Sequence, residues 1–164
     1  MSTIAEIRPA TEFDAEGIAA VFAPYVTGSV VTFETTPPTA AQWRAKIRES
    51  KLPFLVLAGT SVEGYALAAP WRPKPAYRHS VETTIYLAPE ATGRGHGRRL
   101  LDELLKQCAE AGAKQAIAVV VDSGSPASWN LHRAAGFADA GVLRRVGFKH
   151  GRWLDTLLMQ RELG

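Results

Sequence analysis

Apolar residues recur along this chain with two different periods. Ile18, Val21, Phe22 and Tyr25 fall at i, i+3, i+4 and i+7, one helical face, with Asp14 before them as a candidate N-cap. Thr39 is placed to cap a second helix that carries Trp43 and Ile47. Leu100, Leu101, Leu104, Leu105 and Cys108 make the stripe of a third helix. Ser125 opens a shorter one that runs to about Ala135 and ends at Gly136. Elsewhere the period is two. Val81, Thr83, Ile85 and Leu87 alternate with Glu82, Thr84 and Tyr86, as in a strand with two unlike faces. Ile4–Pro9 reads as a short strand, and Phe54–Ala58 with Tyr65–Ala69, joined through Gly59–Gly64, as a hairpin. Ala116–Val121 is continuously apolar, the pattern of a strand buried on both faces. Val142–Phe148 and Trp153–Gln160 are predicted as a last pair of strands around Lys149-His150-Gly151. Residues 28–38 are β-branched and then broken by Pro37 and Pro38, which predicts an extended loop.

The order β-α-α-β-β-β-α-β-α-β-β predicts an α/β (α+β) fold, a mixed sheet with flanking helices. At 164 residues, without an internal repeat or low-complexity linker, the chain is expected to be a single domain, 1–164. Hydrophobic residues are 46% and charged residues 21%, enough apolar surface to exclude disorder as the main state. No run approaches the ~20 apolar residues of a membrane span. The start, Met1-Ser2-Thr3-Ile4-Ala5-Glu6-Ile7-Arg8, shows no basic segment followed by an apolar one, so a cytoplasmic location is expected. One cysteine and four scattered histidines predict neither a disulfide nor a metal site. The net charge of +3 is spread over Arg72/Lys74/Arg78, Arg94/Arg98/Arg99 and Arg144/Arg145. Such small groups suit a small anionic ligand better than a nucleic-acid duplex.

Candidate chemistry concentrates in Thr92-Gly93-Arg94-Gly95-His96-Gly97-Arg98-Arg99, between the alternating strand and the amphipathic helix. Alternate glycines let backbone approach a bulky group, and the unpaired N–H groups opening the helix, with Arg94 and Arg98, make an anion site suited to a pyrophosphate. A solvated glycine turn ahead of a basic helix start reads the same way. No Gly-Lys-Ser/Thr follows the glycines, so this is not a P-loop, and the turn does not follow the first strand of a βαβ unit as in dinucleotide folds.

Thr92-Gly93-Arg94-Gly95-His96-Gly97 resembles the Q/R-x-x-G-x-G/A signature of the GNAT superfamily of acyl-CoA-dependent N-acyltransferases, with Thr92 departing at the first position. Asn130-Leu131-His132-Arg133-Ala134-Ala135-Gly136-Phe137 resembles its Asn-x-x-aromatic…Gly-Phe helix, with His132 where Tyr is frequent. Thr32–Thr35, Pro70–Tyr77, Val81–Leu87 and Gly147–Asp155 resemble the phosphinothricin N-acetyltransferase branch, so the similarity spans nearly the whole chain. The resemblance implies a mostly antiparallel sheet with two splayed central strands, acetyl-CoA in the gap, and a homodimer. It implies acetyl transfer to the α-amine of a small amino acid or analogue.

The same resemblance assigns the general-base role to Glu82, paired with His132 as a proton relay. It places the pantetheine arm along Ile85, Tyr86 and Leu87, with Asn130 near it, and the pyrophosphate at Gly93–Arg98, His96 included. Each has an ordinary reading too: Glu82 as an outward strand residue, His132 as helix filling, Asn130 as a solvated amide. An acceptor carboxylate needs a cation, for which Arg72 and Lys74 are candidates; Phe33, Tyr86 and His150 are candidate pocket walls. Cys108 reads as a small buried hydrophobe. Alternatives are a non-catalytic acetyl-CoA-binding module, or an acetyltransferase for a protein N-terminus or a polyamine.

Overall fold

The structure, a computed structural model, describes residues 4–164; the first three residues of the N-terminal stretch read above lie outside the described part. In chain order the elements are β1 (Glu6–Pro9), α1 (Ala15–Gly28), α2 (Ala40–Glu49), β2 (Phe54–Ala58), β3 (Val62–Pro70), β4 (Ser80–Leu87), α3 (His96–Glu110), β5 (Gln115–Val121), α4 (Ala127–Ala134), β6 (Ala138–Lys149) and β7 (Arg152–Glu162). The strands form one seven-stranded sheet, ordered β1-β2-β3-β4-β5-β7-β6. Among the described residues only the β4–β5 pairing is parallel; the others are antiparallel.

Each face of the sheet buries its own cluster. Val81 of β4, Ala116, Ala118 and Val120 of β5 and Met159 of β7 pack under the α3 stripe Leu100, Leu101, Leu104, Leu105 and Cys108, joined by Ala135 and Phe137 after α4. On the other face, Val56, Tyr65 and Leu67 pack under Ile18, Val21 and Phe22 of α1 and Trp43 of α2. The alternation of β4 is realised in this way. Val81, Ile85 and Leu87 join the α3 cluster, while Tyr86 lies edge-on to Phe22 with ring centroids 4.9 Å apart.

Caps and boundaries differ in instructive ways. Thr39 makes the full capping box: its hydroxyl accepts from Gln42 N at 3.1 Å, and Gln42 Oε1 accepts from Thr39 N at 2.8 Å. Asp14 occupies the N-cap of α1 but makes no side-chain cap, because a 3-10 turn over Glu12–Asp14 already holds it in a helical conformation. Its carboxylate turns back to Arg8, with both oxygens at 2.8 Å from the guanidinium, and to Thr11 N. Ser125 lies one residue before the N-cap Pro126 of α4 and accepts from Ala127 N at 3.3 Å. β6 is longer than predicted and interrupted twice, at Asp139/Gly141 and Leu143/Gly147. The expected loop holds no regular element between α1 and α2. No helix among the described residues is long and apolar enough to cross a membrane.

Candidate active site

Parallel pairing joins Ser80–Thr83 of β4 to Gln115–Ala118 of β5 and stops there, although β4 continues to Leu87 and β5 to Val121. Beyond Thr83 and Ala118, the edges these two strands turn toward each other have no ladder partner, and the strands splay. Such edges are donors and acceptors that a ligand can pair. A cleft of about 610 Å³ lies between them. Its walls come from both faces of the sheet. Gly93, Gly95, Gly97, Arg98, Leu131 and His132 line it from the α3–α4 side; Tyr25, Thr32, Phe33, Glu82, Tyr86 and Thr156 line it from the α1 side. The cleft therefore crosses the plane of the sheet.

The glycine turn forms the first wall. Gly93 and Gly95 have φ of +78° and +80°, the left-handed region that side-chain-bearing residues avoid, and Gly95 is the N-cap of α3. The first N–H groups of α3 have no intrahelical acceptor, and with the positive end of the helix dipole they form a site for a phosphate group. Gly97 is less constrained: a Cβ there would meet Leu131 and Leu87 at 3.5 and 3.6 Å, ordinary contact. Thr92, which departs from the signature, closes the turn by donating its hydroxyl to Pro89 O at 2.8 Å. Arg98 reaches the cleft while its Nε bonds Asp102 at 3.0 Å. Arg94 and His96 lie outside the lining; His96 Nδ1 is 3.4 Å from the Arg99 guanidinium. Asn130 is exposed on α4, also outside it, whereas Ile85, Tyr86 and Leu87 line the cleft on the splayed part of β4.

Glu82 is half-buried at the closed end of the splay, opposite Ile117. Burial pushes its carboxyl pKa up, against the opposing pull of the positive charges on Arg72 and Lys46. Arg72 stacks on Trp71 at 4.1 Å, and Lys46 of α2 lies over Trp43 at 5.4 Å. Arg72 and Lys74 are both exposed in the 71–79 segment and lie outside the lining. His132 is buried, its ring edge-on to Phe137 at 5.0 Å. Its Nδ1 is 2.7 Å from Ser128 O. A carbonyl only accepts, so Nδ1 carries the proton and Nε2 holds the lone pair of the neutral ring. Burial lowers the His132 pKa, with the Ser128 bond opposing, which favours that neutral form.

The α1–α2 loop forms the remaining wall. Phe33 packs its ring tip against Gly147, where a Cβ would come within 2.5 Å of three ring carbons, so β6 needs glycine at that point. Two residues on, the buried Lys149 donates its ammonium to Thr32 O at 2.9 Å. His150 is exposed in the β6–β7 turn, with φ of +50° beside Gly151 at +72°, and lies outside the lining. Sequence reasoning missed Tyr25, Val31, Thr32, Thr83 and Thr156 as cleft walls and Lys46 as a neighbour of Glu82. Thr83 carried a signal, as the polar residue on the otherwise apolar face of Val81, Ile85 and Leu87.

Comparison with known proteins follows the same lines. The acetyltransferase (GNAT) family matches residues 18–137. A phosphinothricin N-acetyltransferase of Alcaligenes faecalis is 44% identical over 161 residues, covering 96% of this chain and 82% of that protein. An L-methionine sulfoximine/L-methionine sulfone acetyltransferase of Pseudomonas paraeruginosa is 34% identical, covering 97% of this chain and 95% of that one. The crystal structure of a phosphinothricin acetyltransferase from Sinorhizobium meliloti in complex with AcCoA superposes with a TM-score of 0.89 at 42% identity, covering 98% and 89% of the two chains. The glycine turn at the start of α3, the β4–β5 splay and these matches agree: the chain belongs to the GNAT family of acetyltransferases.

Proposed function

We propose that this chain, acting as one domain, transfers the acetyl group of acetyl-CoA to the α-amine of a small amino acid or analogue. Phosphinothricin, methionine sulfoximine and methionine sulfone are the first candidates, being what its relatives are named for. The observation that carries the proposal is the cleft that crosses the sheet between β4 and β5. A cleft with an anion-binding helix start on one side and a half-buried carboxylate on the other lets two substrates meet from opposite faces. That geometry suits direct transfer within a ternary complex.

Acetyl-CoA fits the first side. Its pyrophosphate would lie at Gly93–Arg98, and its arm would pair with the Ile85–Leu87 edge, where Leu87 O already accepts from the Tyr25 hydroxyl. It supplies the acyl carbon as a thioester. Glu82 takes one ammonium proton of the acceptor, directly or through water, and the freed lone pair adds to the thioester carbon; the tetrahedral oxyanion then collapses with cleavage of the C–S bond, and the proton the nitrogen sheds passes to the departing thiolate. A backbone N–H of the splayed β4 edge stabilises the oxyanion, and Nε2 of neutral His132 relays protons. Arg72 holds the acceptor carboxylate, with Lys46 as a second cation near Glu82. Cys108 is an unsuitable acyl carrier: burial pushes its thiol up to about 11, and it lies in the α3 core outside the cleft lining. That favours direct transfer over an acyl-enzyme.

A homodimer is part of this proposal. β6 is the edge strand of the sheet, and along it only Gly147 and Lys149 are buried. Val142, Leu143, Val146 and Phe148 leave an exposed apolar edge there, with Trp153 beside them, which a second copy would cover. A reducing, cytoplasmic location suits the single free thiol of Cys108.

The test is thiol release from acetyl-CoA against phosphinothricin, methionine sulfoximine, methionine sulfone, the common amino acids and a polyamine. Release with one of the first three is expected. Release with the polyamine alone overturns the acceptor class, which the positive charges beside Glu82 disfavour. Silence throughout, with acetyl-CoA still raising Tm, points instead to a binding module.

A further inference from the structure

Three buried polar side-chain atoms among the described residues have no hydrogen-bond partner: Trp43 Nε1, Thr83 Oγ1 and Thr156 Oγ1. A buried hydroxyl left unpaired costs free energy, so such an atom calls for a partner from outside the chain. Trp43 lies in the aromatic core under α2, away from the cleft. Thr83 faces the α3 side with Val81 and Ile85. Thr156 is the one on the acceptor side: it is 3% exposed, lines the cleft, and shares the sheet face of Glu82 through its pairing with Val121.

Register sets how far apart Glu82 and Thr156 stand. Glu82 is level with Ile117 at the closed end of the splay, and Thr156 is level with Val121 toward its open end. Four residues of strand separate those levels, roughly 13 Å at ~3.3 Å per residue. A hydrogen bond of ~2.8 Å at each end takes up part of that span, leaving about the length of an extended amino acid with an unbranched side chain. Positive charge sits at the Glu82 end, from Arg72 and Lys46. The Phe33 wall, seated on Gly147 opposite Leu154, stands at the Thr156 end. An α-amino acid is thus oriented with its charged head at Glu82 and its side chain toward Thr156.

We propose that Thr156 Oγ1 is a specificity-determining contact that donates a hydrogen bond to an oxygen at the far end of the acceptor side chain. It selects acceptors with a phosphinyl, sulfonyl or sulfoximine oxygen over those ending in a thioether or alkyl group. This rests on the acceptor class proposed above.

The experiment compares wild type with Thr156→Val, which keeps the shape and removes the hydroxyl, and with Thr156→Ser, which keeps the hydroxyl. Acceptors are methionine sulfone and methionine, identical except for the two oxygens on sulfur. Methionine is followed as a substrate or, if turnover is slow, as a competitive inhibitor. Thr156→Val should lower kcat/KM for the sulfone roughly tenfold or more, through KM, and change methionine by less than about twofold. Thr156→Ser should recover most of the sulfone activity. The KM for acetyl-CoA should stay within about twofold, and Tm should not fall, since an unpaired buried hydroxyl has been removed. Equal losses on both acceptors, or no loss on the sulfone, overturn the role of Thr156 while leaving the acceptor class intact. A wild type that turns over neither the sulfone nor phosphinothricin overturns the acceptor class, and this proposal with it. If Thr156→Val does not fold, Thr156→Ala read on the same pair of acceptors decides the question.

Discussion

In the proposed mechanism Glu82 acts as a base only when ionised, and burial makes it harder to ionise. Its raised pKa moves the acid limb of kcat/KM above the ordinary glutamate range of ~4.3, and activity is lost as pH falls through that limb. Glu82→Gln should cut kcat by roughly 100-fold or more and remove the limb, with the KM for acetyl-CoA nearly unchanged. A limb that persists at the same pH in the Gln variant belongs to another group. The cations nearby should act on the acceptor alone. Arg72→Ala and Lys46→Ala are each expected to raise acceptor KM with little effect on acetyl-CoA; steady-state kinetics with each substrate varied in turn will show whether one or both hold the carboxylate. Arg72 was legible in the sequence because its segment leads toward the site. Lys46 was not, since it belongs to a helix whose pattern speaks only of a core face and a capping residue. Only packing brings its charge close to Glu82.

Two helix starts in this chain differ in their capping chemistry and do different work. At α2, Thr39 and Gln42 satisfy each other's backbone donors, so the start is closed. At α3, a left-handed Gly95 supplies no side-chain cap, and the first N–H groups stay available. Thr39→Ala should therefore lower stability by about 1 kcal/mol and leave both KM values alone. Gly95→Ala forces an L-residue to φ near +80°, costing ~1–2 kcal/mol, and should raise the KM for acetyl-CoA. Equal acetyl-CoA KM in the two variants would separate the α3 start from cofactor binding. The strand elements divide similarly. The alternation of β4 was readable and places Glu82 and Tyr86 together. Thr156 was not singled out, because a β-branched residue in a strand looks ordinary until both its burial and its lack of a partner are known.

At the scale of the molecule, the apolar edge of β6 is a liability that the proposed second copy would remove. The double variant Val142→Glu/Val146→Glu should convert a dimer to a monomer in sedimentation, at little cost to the monomer's core, since both side chains are exposed. A species that sediments unchanged, or a wild type that is already monomeric, refutes the edge-strand interface. The hairpin that carries this edge also bears on the cleft. Its buried Lys149 holds Thr32, and its Gly147 seats Phe33, so the cleft wall and the sheet edge are one mechanical unit.

The elements, the two faces of β4 and the glycine turn before α3 are legible in the sequence alone, because periodicity, capping residues and glycine spacing are local properties of the chain. The tertiary structure decided where the β4–β5 ladder stops and which side chains meet in the opening. Both depend on strands whose partners are distant in sequence, and on a loop whose position is set by contacts with β6. Neither leaves a local pattern. That is why Glu82, His132 and the glycines were readable as candidates, whereas Thr156, Thr32, Tyr25 and Lys46 emerged only from packing.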